Sequence, residues 1–252
     1  MLEKPLRLLD EVFPASGPPV TQEVWSASLP RFCEELALVA EELFSVVKLT
    51  VPNRLLAESK QEIVVSRNPV IVVSEYRLRP ETSYYTKTGR PIPSPENPEG
   101  PDATGIELNL SLCRGYAARK TVRPPWLSIE LSVWGRHERS CFHELFIEHR
   151  RLVERFLSAP GLEFSTACVF DNVDRAKGAS VFKKLDLYYQ NKTDDENNFT
   201  IEQAFGVMAT KAELVGTLLP LAALYDAAYG YCLPAKARDR ILDYVSLVHD
   251  EI

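Results

Sequence analysis

Two segments of this chain alternate apolar and polar residues with a period of two, and that pattern constrains the fold more than any other feature. In GIELNLSLC, Ile106, Leu108, Leu110 and Leu112 alternate with Glu107, Asn109, Ser111 and Cys113. In WLSIELSVW, Leu127, Ile129, Leu131 and Val133 alternate with Ser128, Glu130, Ser132 and Trp134. Successive side chains of a strand point to opposite faces, so each segment reads as a strand with one apolar and one polar face. Strands of a doubly wound parallel sheet are usually apolar on both faces, so the alternation points to an antiparallel sheet and an α+β fold. The expected architecture is a mainly antiparallel sheet with helices packed on one face and a helical C-terminal region.

Pairing that keeps both apolar faces together brings Glu130 beside Asn109 or Ser111. Glu107, Asn109, Ser111, Ser128, Glu130 and Ser132 then share one polar surface. Solvent exposure is its plainest explanation. With Trp134 and Tyr76 on or near it, the surface is also a usable recognition platform.

Around these strands the chain divides at its turn residues. Pro14, Gly17, Pro18, Pro19 and Pro30 suggest an irregular N-terminal arm over 1–30, followed by a single domain over 31–252 with possible sub-units 31–135 and 136–252. A helix is expected from Arg31 to Lys48, where Phe32, Leu36, Val39, Leu43, Phe44 and Val47 recur at helical spacing, with Ser28 as cap and Pro30 in the first turn. EIVVS and VIVVSEYRLRP, split by Asn68-Pro69, read as a hairpin. A short strand over 84–87 and a long proline-rich loop up to residue 105 follow. After a helix over 138–157, stopped by Pro160 and Gly161, strands are expected over 162–171 and 181–189. Thr200 with Gln203 forms a capping-box pair that would open a helix kinked at Pro220 and ended by Gly230. Pro234 would start the last helix, with Ile241, Leu242, Val245 and Val248 as its buried stripe.

Composition narrows the partners. Lys and Arg total 29 against 35 Asp and Glu, a formal charge of -6, which argues against a surface that coats nucleic acid generally. Five cysteines with no CxxC pair suit neither a disulfide framework nor a zinc ribbon. No secretory signal is visible in MLEKPLRLLDEVFP, and the apolar stretch from Leu214 is interrupted by Pro220 and Asp226, short of the roughly 20 residues a bilayer span requires. The expectation is a cytoplasmic protein without membrane contact.

Candidate chemistry is scattered. His137, His143 and His149 lie in one helical segment, but at 100° per residue they point in three directions about 120° apart, so they cannot close on one ion. His149 faces the core in this reading, and His143-Glu144 lacks the second histidine of a zinc-protease motif. Glu148 with Arg151, and Arg150 with Glu154, read as surface ion pairs of the same helix. Cys141, two residues from His143, reads as packing rather than as an activated nucleophile. The acidic turn FDNVD offers Asp171 and Asp174 as oxygen ligands for Mg²⁺ or Mn²⁺, although their use as turn formers and helix caps is the plainer explanation. RGYAARKTVRPPW places Arg114, Arg119, Lys120 and Arg123 beside Tyr116 and Trp126, a composition suited to an anion, single-stranded nucleic acid or an acidic partner. No complete catalytic set and no cofactor motif is present. The leading expectation is therefore a non-catalytic protein-binding or accessory module that uses the polar sheet face, with Glu107, Asn109, Glu130 and Trp134, together with these loops. The alternatives are a metal-dependent phosphoryl-transfer enzyme or nuclease at Asp171 and Asp174, and an RNA- or anion-binding protein.

Overall fold

The computed structural model describes residues 2–12, 22–47, 53–58, 62–64, 70–80, 106–117, 120–121, 124–133, 136–166, 178–190, 198–232, 239 and 242–243. Two helices open the chain, α1 (Glu3–Val12) and α2 (Gln22–Phe44). Strands β1 (Asn53–Glu58), β2 (Glu62–Val64), β3 (Val70–Pro80), β4 (Ile106–Ala117), β5 (Lys120–Thr121) and β6 (Trp126–Val133) follow. Next come α3 (Arg136–Glu148), α4 (Arg150–Phe156), β7 (Glu163–Thr166), α5 (Val181–Gln190), β8 (Phe199–Phe205) and α6 (Lys211–Cys232). Among the described residues these strands form one antiparallel sheet in the order β1-β3-β4-β6-β8-β7, with β2 paired to β3 and β5 to β4. The fold is α+β, as the alternation requires.

The register of β4 on β6 follows from their patterns. Ile106 stands opposite Val133, Leu108 opposite Leu131, Leu110 opposite Ile129 and Leu112 opposite Leu127, so every apolar residue of one strand meets an apolar residue of the other. All eight are fully buried. A one-residue slip would carry the glutamates to this face, so hydrophobic burial holds the pairing in register. β8 extends the same surface with Phe199, Ile201 and Phe205 opposite Val133, Leu131 and Leu127.

Helix α6 lies over that surface and also packs against α3, α4 and α2. From Pro220 to Cys232 every residue is buried, the expected state of a helix surrounded on all sides. Its link to the sheet is specific: the Tyr229 hydroxyl donates to the Ile106 carbonyl at 2.7 Å and accepts from the Ile106 N–H at 3.1 Å, satisfying both backbone groups of the first β4 residue. Thr217 Oγ1 donates to Gln203 Oε1 on β8 at 2.7 Å. Gly161, at φ +86°, lies close enough to this amide that an added Cβ would stand 2.7 Å from Gln203 Nε2. The tight turn after α4 thus needs glycine both for its backbone angle and for the space it leaves.

Several local expectations are corrected. The arm expected over 1–30 is helical at Glu3–Val12 and again from Gln22, so Pro30 lies inside α2 rather than in its first turn. Lys4 of α1 pairs with Glu35 of α2, joining the two. Residues 181–189, expected as a strand, are helix α5: buried Val181, Phe182, Leu185, Tyr188 and Tyr189 follow helical spacing, and Ser180 Oγ accepts the Lys183 N–H at 3.3 Å as an N-cap. Thr200 and Gln203 do not cap a helix, because they lie in strand β8, where Phe199, Ile201 and Phe205 are the buried alternate positions. The working capping box is Thr210 with Glu213: the Thr210 N–H donates to Glu213 Oε2 at 2.7 Å and the Glu213 N–H to Thr210 Oγ1 at 3.3 Å. The bond from the Thr210 N–H foremost, and then the Thr210 hydroxyl donating to the same oxygen at 2.9 Å, hold the Glu213 carboxyl below its ordinary pKa. α6 runs through both Pro220 and Gly230 to Cys232. The carbonyl that loses its donor at Pro220 belongs to Gly216, on an exposed position of the helix, where water can replace the bond.

The helix expected over 138–157 is two, divided at His149, whose backbone (φ −122°, ψ 42°) leaves the helical region. The charges expected to pair within it also reach other elements: Arg150 bonds Asp186 of α5 at 3.0 Å, and Glu148 accepts from the Tyr231 hydroxyl at 2.6 Å. The strand expected over 162–171 is described as β7 over its first part. The expected pairing of the segments on either side of Asn68-Pro69 is present, with β2 antiparallel to β3, the connection itself lying outside the described residues, and β1 is a strand that alternation did not mark. The short strand at 84–87, the proline-rich loop and the helix from Pro234 lie outside the described residues, apart from helical positions 239, 242 and 243 in the last.

Tyr229→Phe removes the hydroxyl that bonds both backbone groups of Ile106, in a site closed to water. We expect a loss of about 1–3 kcal/mol in urea unfolding with the slope unchanged. A midpoint equal to wild type would mean that α6 is not bonded to the start of β4.

Candidate functional site

The polar face of the sheet gathers the greatest density of functional groups. Its central row crosses four strands: Asn109 on β4 stands opposite Glu130 on β6, Glu130 opposite Glu202 on β8, and Glu202 opposite Glu163 on β7. One flanking row holds Ser111, Ser128 and Ala204, and the other Glu107, Ser132, Thr200 and Ser165. Trp126 stands opposite Cys113 at the edge of the same face.

Hydrogen bonds run diagonally along it. Ser111 Oγ donates to Glu130 Oε1 at 2.8 Å, and Ser128 Oγ donates to Glu202 Oε2 at 3.0 Å, each serine reaching a carboxylate on the next strand. Ser132 and Thr200 share a hydroxyl bond at 3.2 Å. Like charges placed directly opposite on neighbouring strands destabilise a sheet by a few tenths to about 1 kcal/mol. Glu202 has such a neighbour on each side.

Along β4 and most of β6 this face is closed to solvent, which corrects the expectation of an exposed surface there, whereas Ala204 on β8 and Glu163 and Ser165 on β7 are exposed. Glu107, Asn109, Ser111, Ser128 and Ser132 are between 1% and 6% exposed, Trp126 is buried, and Glu130 and Glu202 are half-buried. Burying polar groups is tolerable because they satisfy one another. Asn109 Oδ1 is different: it is buried and has no hydrogen-bond partner.

The remaining sequence candidates are less gathered. Arg114 on β4 is in register with Ile71, Tyr116 with Thr121, and Lys120 of β5 with Ala117, so the segment expected as a basic connection is a short hairpin at its start. Trp126 belongs to β6 and not to that connection. Arg119, Arg123, Trp134, Asp171 and Asp174 lie outside the described residues. Among the described residues no three His, Cys, Asp or Glu side chains are grouped so as to hold a metal ion. Thr200 and Glu202 escaped notice as members of this face because β8 carried a false capping box, and without β8 the polar side of the expected strand holding Glu163 and Ser165 could not be joined to it; the alternation of Phe199, Ile201 and Phe205 was the signal that could have found them.

A second cluster joins α3 to α5. His143 stacks on Tyr189 with ring centroids 4.3 Å apart and planes inclined by 27°. Tyr188 lies edge-on to Tyr189, and Arg139, itself buried, hydrogen-bonds Tyr188. Burial, with a smaller contribution from Tyr188, pushes the Tyr189 hydroxyl well above the ordinary tyrosine pKa. Cys141 is buried beside this cluster as packing. His149 is half-buried at the helix break, edge-on to Tyr231 at 6.2 Å.

No family model, no curated protein and no solved structure matches the chain. No helix among the described residues is long and apolar enough to cross a membrane.

Two outcomes follow from this geometry. Ser128→Ala removes a charge-assisted bond from the half-buried Glu202 carboxylate and should cost about 1.5–3 kcal/mol in urea unfolding, against a few tenths for Ser45→Ala on the exposed end of α2. Equal costs would show that the diagonal bonds are not made. Because the folded state favours neutral Tyr189, its contribution to stability is complete below the unfolded value of about 10 and is lost as pH rises from there toward the raised value. Unfolding measured across pH 9–12 should therefore decline less steeply for Tyr189→Phe than for wild type, and parallel curves would contradict this.

Proposed function

We propose that the chain is a non-catalytic protein-binding module that engages its partner at the end of the molecule where α2 stops and α6 starts. One observation carries this reading. Of the five large apolar side chains exposed among the described residues, four stand within four residues along the chain of the Glu42–Lys211 ion pair: Leu38 and Val46 on either side of Glu42, and Val207 and Met208 just before Lys211. Leu38, Glu42 and Val46 follow one another at one-turn spacing, and Glu42 Oε1 is 2.9 Å from the ammonium of Lys211. Val207 and Met208 occupy the turn just before that lysine.

Singly exposed apolar residues are ordinary, whereas a group of them rimmed by charge marks an interaction surface. Met208, 87% exposed, is the most open of them, and a methionine adapts its shape to a partner at little cost. The Glu42–Lys211 pair, half exposed on both sides, contributes little stability and is available to set orientation. The polar sheet face supports this reading less well, because it is closed along β4 and most of β6.

A photo-crosslinking residue at Met208 tests the proposal in cells, with Ser140 on the exposed side of α3 as the control position. A discrete protein adduct at 208, absent at 140 and reduced about tenfold by Leu38→Glu, is the expected result. Equal, diffuse labelling at both positions would overturn it.

A further inference from the structure

We propose that Asn109, Glu130 and Glu202 form a binding site for a hydrated divalent cation of the Mg²⁺ and Mn²⁺ class on the polar face of the sheet. The register places these three residues side by side on adjacent central strands. The bond from Ser111, two residues beyond Asn109, to Glu130 shows that the three share one face.

The amide supplies the decisive observation. Asn109 is 2% exposed, and its Oδ1 accepts no hydrogen bond. A buried acceptor without a partner costs roughly 1–3 kcal/mol, so native proteins retain one where something else meets it. Here its neighbour in the row is a carboxylate, and the next is a second carboxylate, neither of which has a proton to give when ionised. A cation meets all three groups at once, and it also removes the repulsion between Glu130 and Glu202.

The donor set selects the kind of ion. Every donor is oxygen, which disfavours the softer metals held by thiolate and imidazole. Two carboxylates and one neutral oxygen are too few for an ion enclosed by protein, consistent with the lack of any larger cluster among the described residues. Mg²⁺ and Mn²⁺ suit such a set, because Mg²⁺ sites commonly use one or two carboxylates and keep several waters. Ser111 and Ser128 each hold one oxygen of a carboxylate, the arrangement by which an outer layer of hydrogen bonds orients metal ligands. On its other side Asn109 is in register with Arg77 of β3.

Titration of the full chain with Mn²⁺, followed by electron paramagnetic resonance of the unbound ion, tests the site without assuming an activity. Wild type should bind Mn²⁺ saturably, and its melting temperature should rise with Mn²⁺ or Mg²⁺ beyond the effect of NaCl at equal ionic strength. Glu202→Gln should weaken Mn²⁺ binding at least tenfold. Asn109→Asp, which adds a charged oxygen at the same position, should strengthen it several-fold. Absence of saturable binding to wild type would overturn the proposal. Binding that Glu202→Gln leaves unchanged would overturn it as well, by locating the ion elsewhere.

Discussion

The burial of eight aliphatic side chains between β4, β6 and helix α6 is the interaction on which the rest of the structure depends. Leu108, Leu110, Ile129 and Leu131 form its centre, each fully buried and each opposite an apolar partner. Since burying one such side chain is worth about 1.5–3 kcal/mol, the set outweighs every other local preference in the chain, including single hydrogen bonds and capping effects. Their alternation dictates which face of the sheet turns inward. It consequently dictates that Asn109, Glu130 and Glu202 share the other face.

Both faces are covered, but by different means. The apolar face meets α6, a helix whose surroundings are sheet on one side and α3 on another, so its own residues need no polar stripe. The polar face is closed along β4 and most of β6, and there serine hydroxyls donate to carboxylates on the next strand. Polar groups in a low-dielectric setting interact more strongly, and an unmet member of such a network is correspondingly costly. The unmet Asn109 oxygen beside two carboxylates is where this closed face differs from ordinary structural packing. The exposed apolar group around Glu42 and Lys211 lies apart from it, on α2 and in the turns that follow α2 and precede α6.

Period-two alternation made the centre of the sheet legible from residues alone. β4 and β6, their register, and the meeting of Glu130 with Asn109 and Ser111 all follow from it. Local signals failed where two patterns overlapped. In VFKKLDLYY, Leu185, Leu187 and Tyr189 alternate as a strand would, yet Val181, Phe182, Leu185, Tyr188 and Tyr189 also fit a helix, and the cap at Ser180 favours the second. Thr200 and Gln203 have capping-box spacing, but pairing with β6 and burial of Phe199, Ile201 and Phe205 on the apolar face of the sheet overrode it. That error concealed Glu202, and with it the acidic row, because a residue expected on a helix surface is not sought opposite Glu130. Burial of the polar face was illegible for another reason: alternation shows which residues share a face and says nothing of what lies over it. The exposed group at Leu38 and Met208 depends on segments about 170 residues apart, brought together only by folding.

Native-state hydrogen exchange tests the central claim most directly, because it reports the stability of each amide separately. The account predicts that amides of 108–112 and 127–131 in β4 and β6 exchange slowest, through global unfolding, together with those of the middle of α6. Amides of these two strands exchanging faster than those of α1, by local opening, would contradict an architecture centred on their pairing.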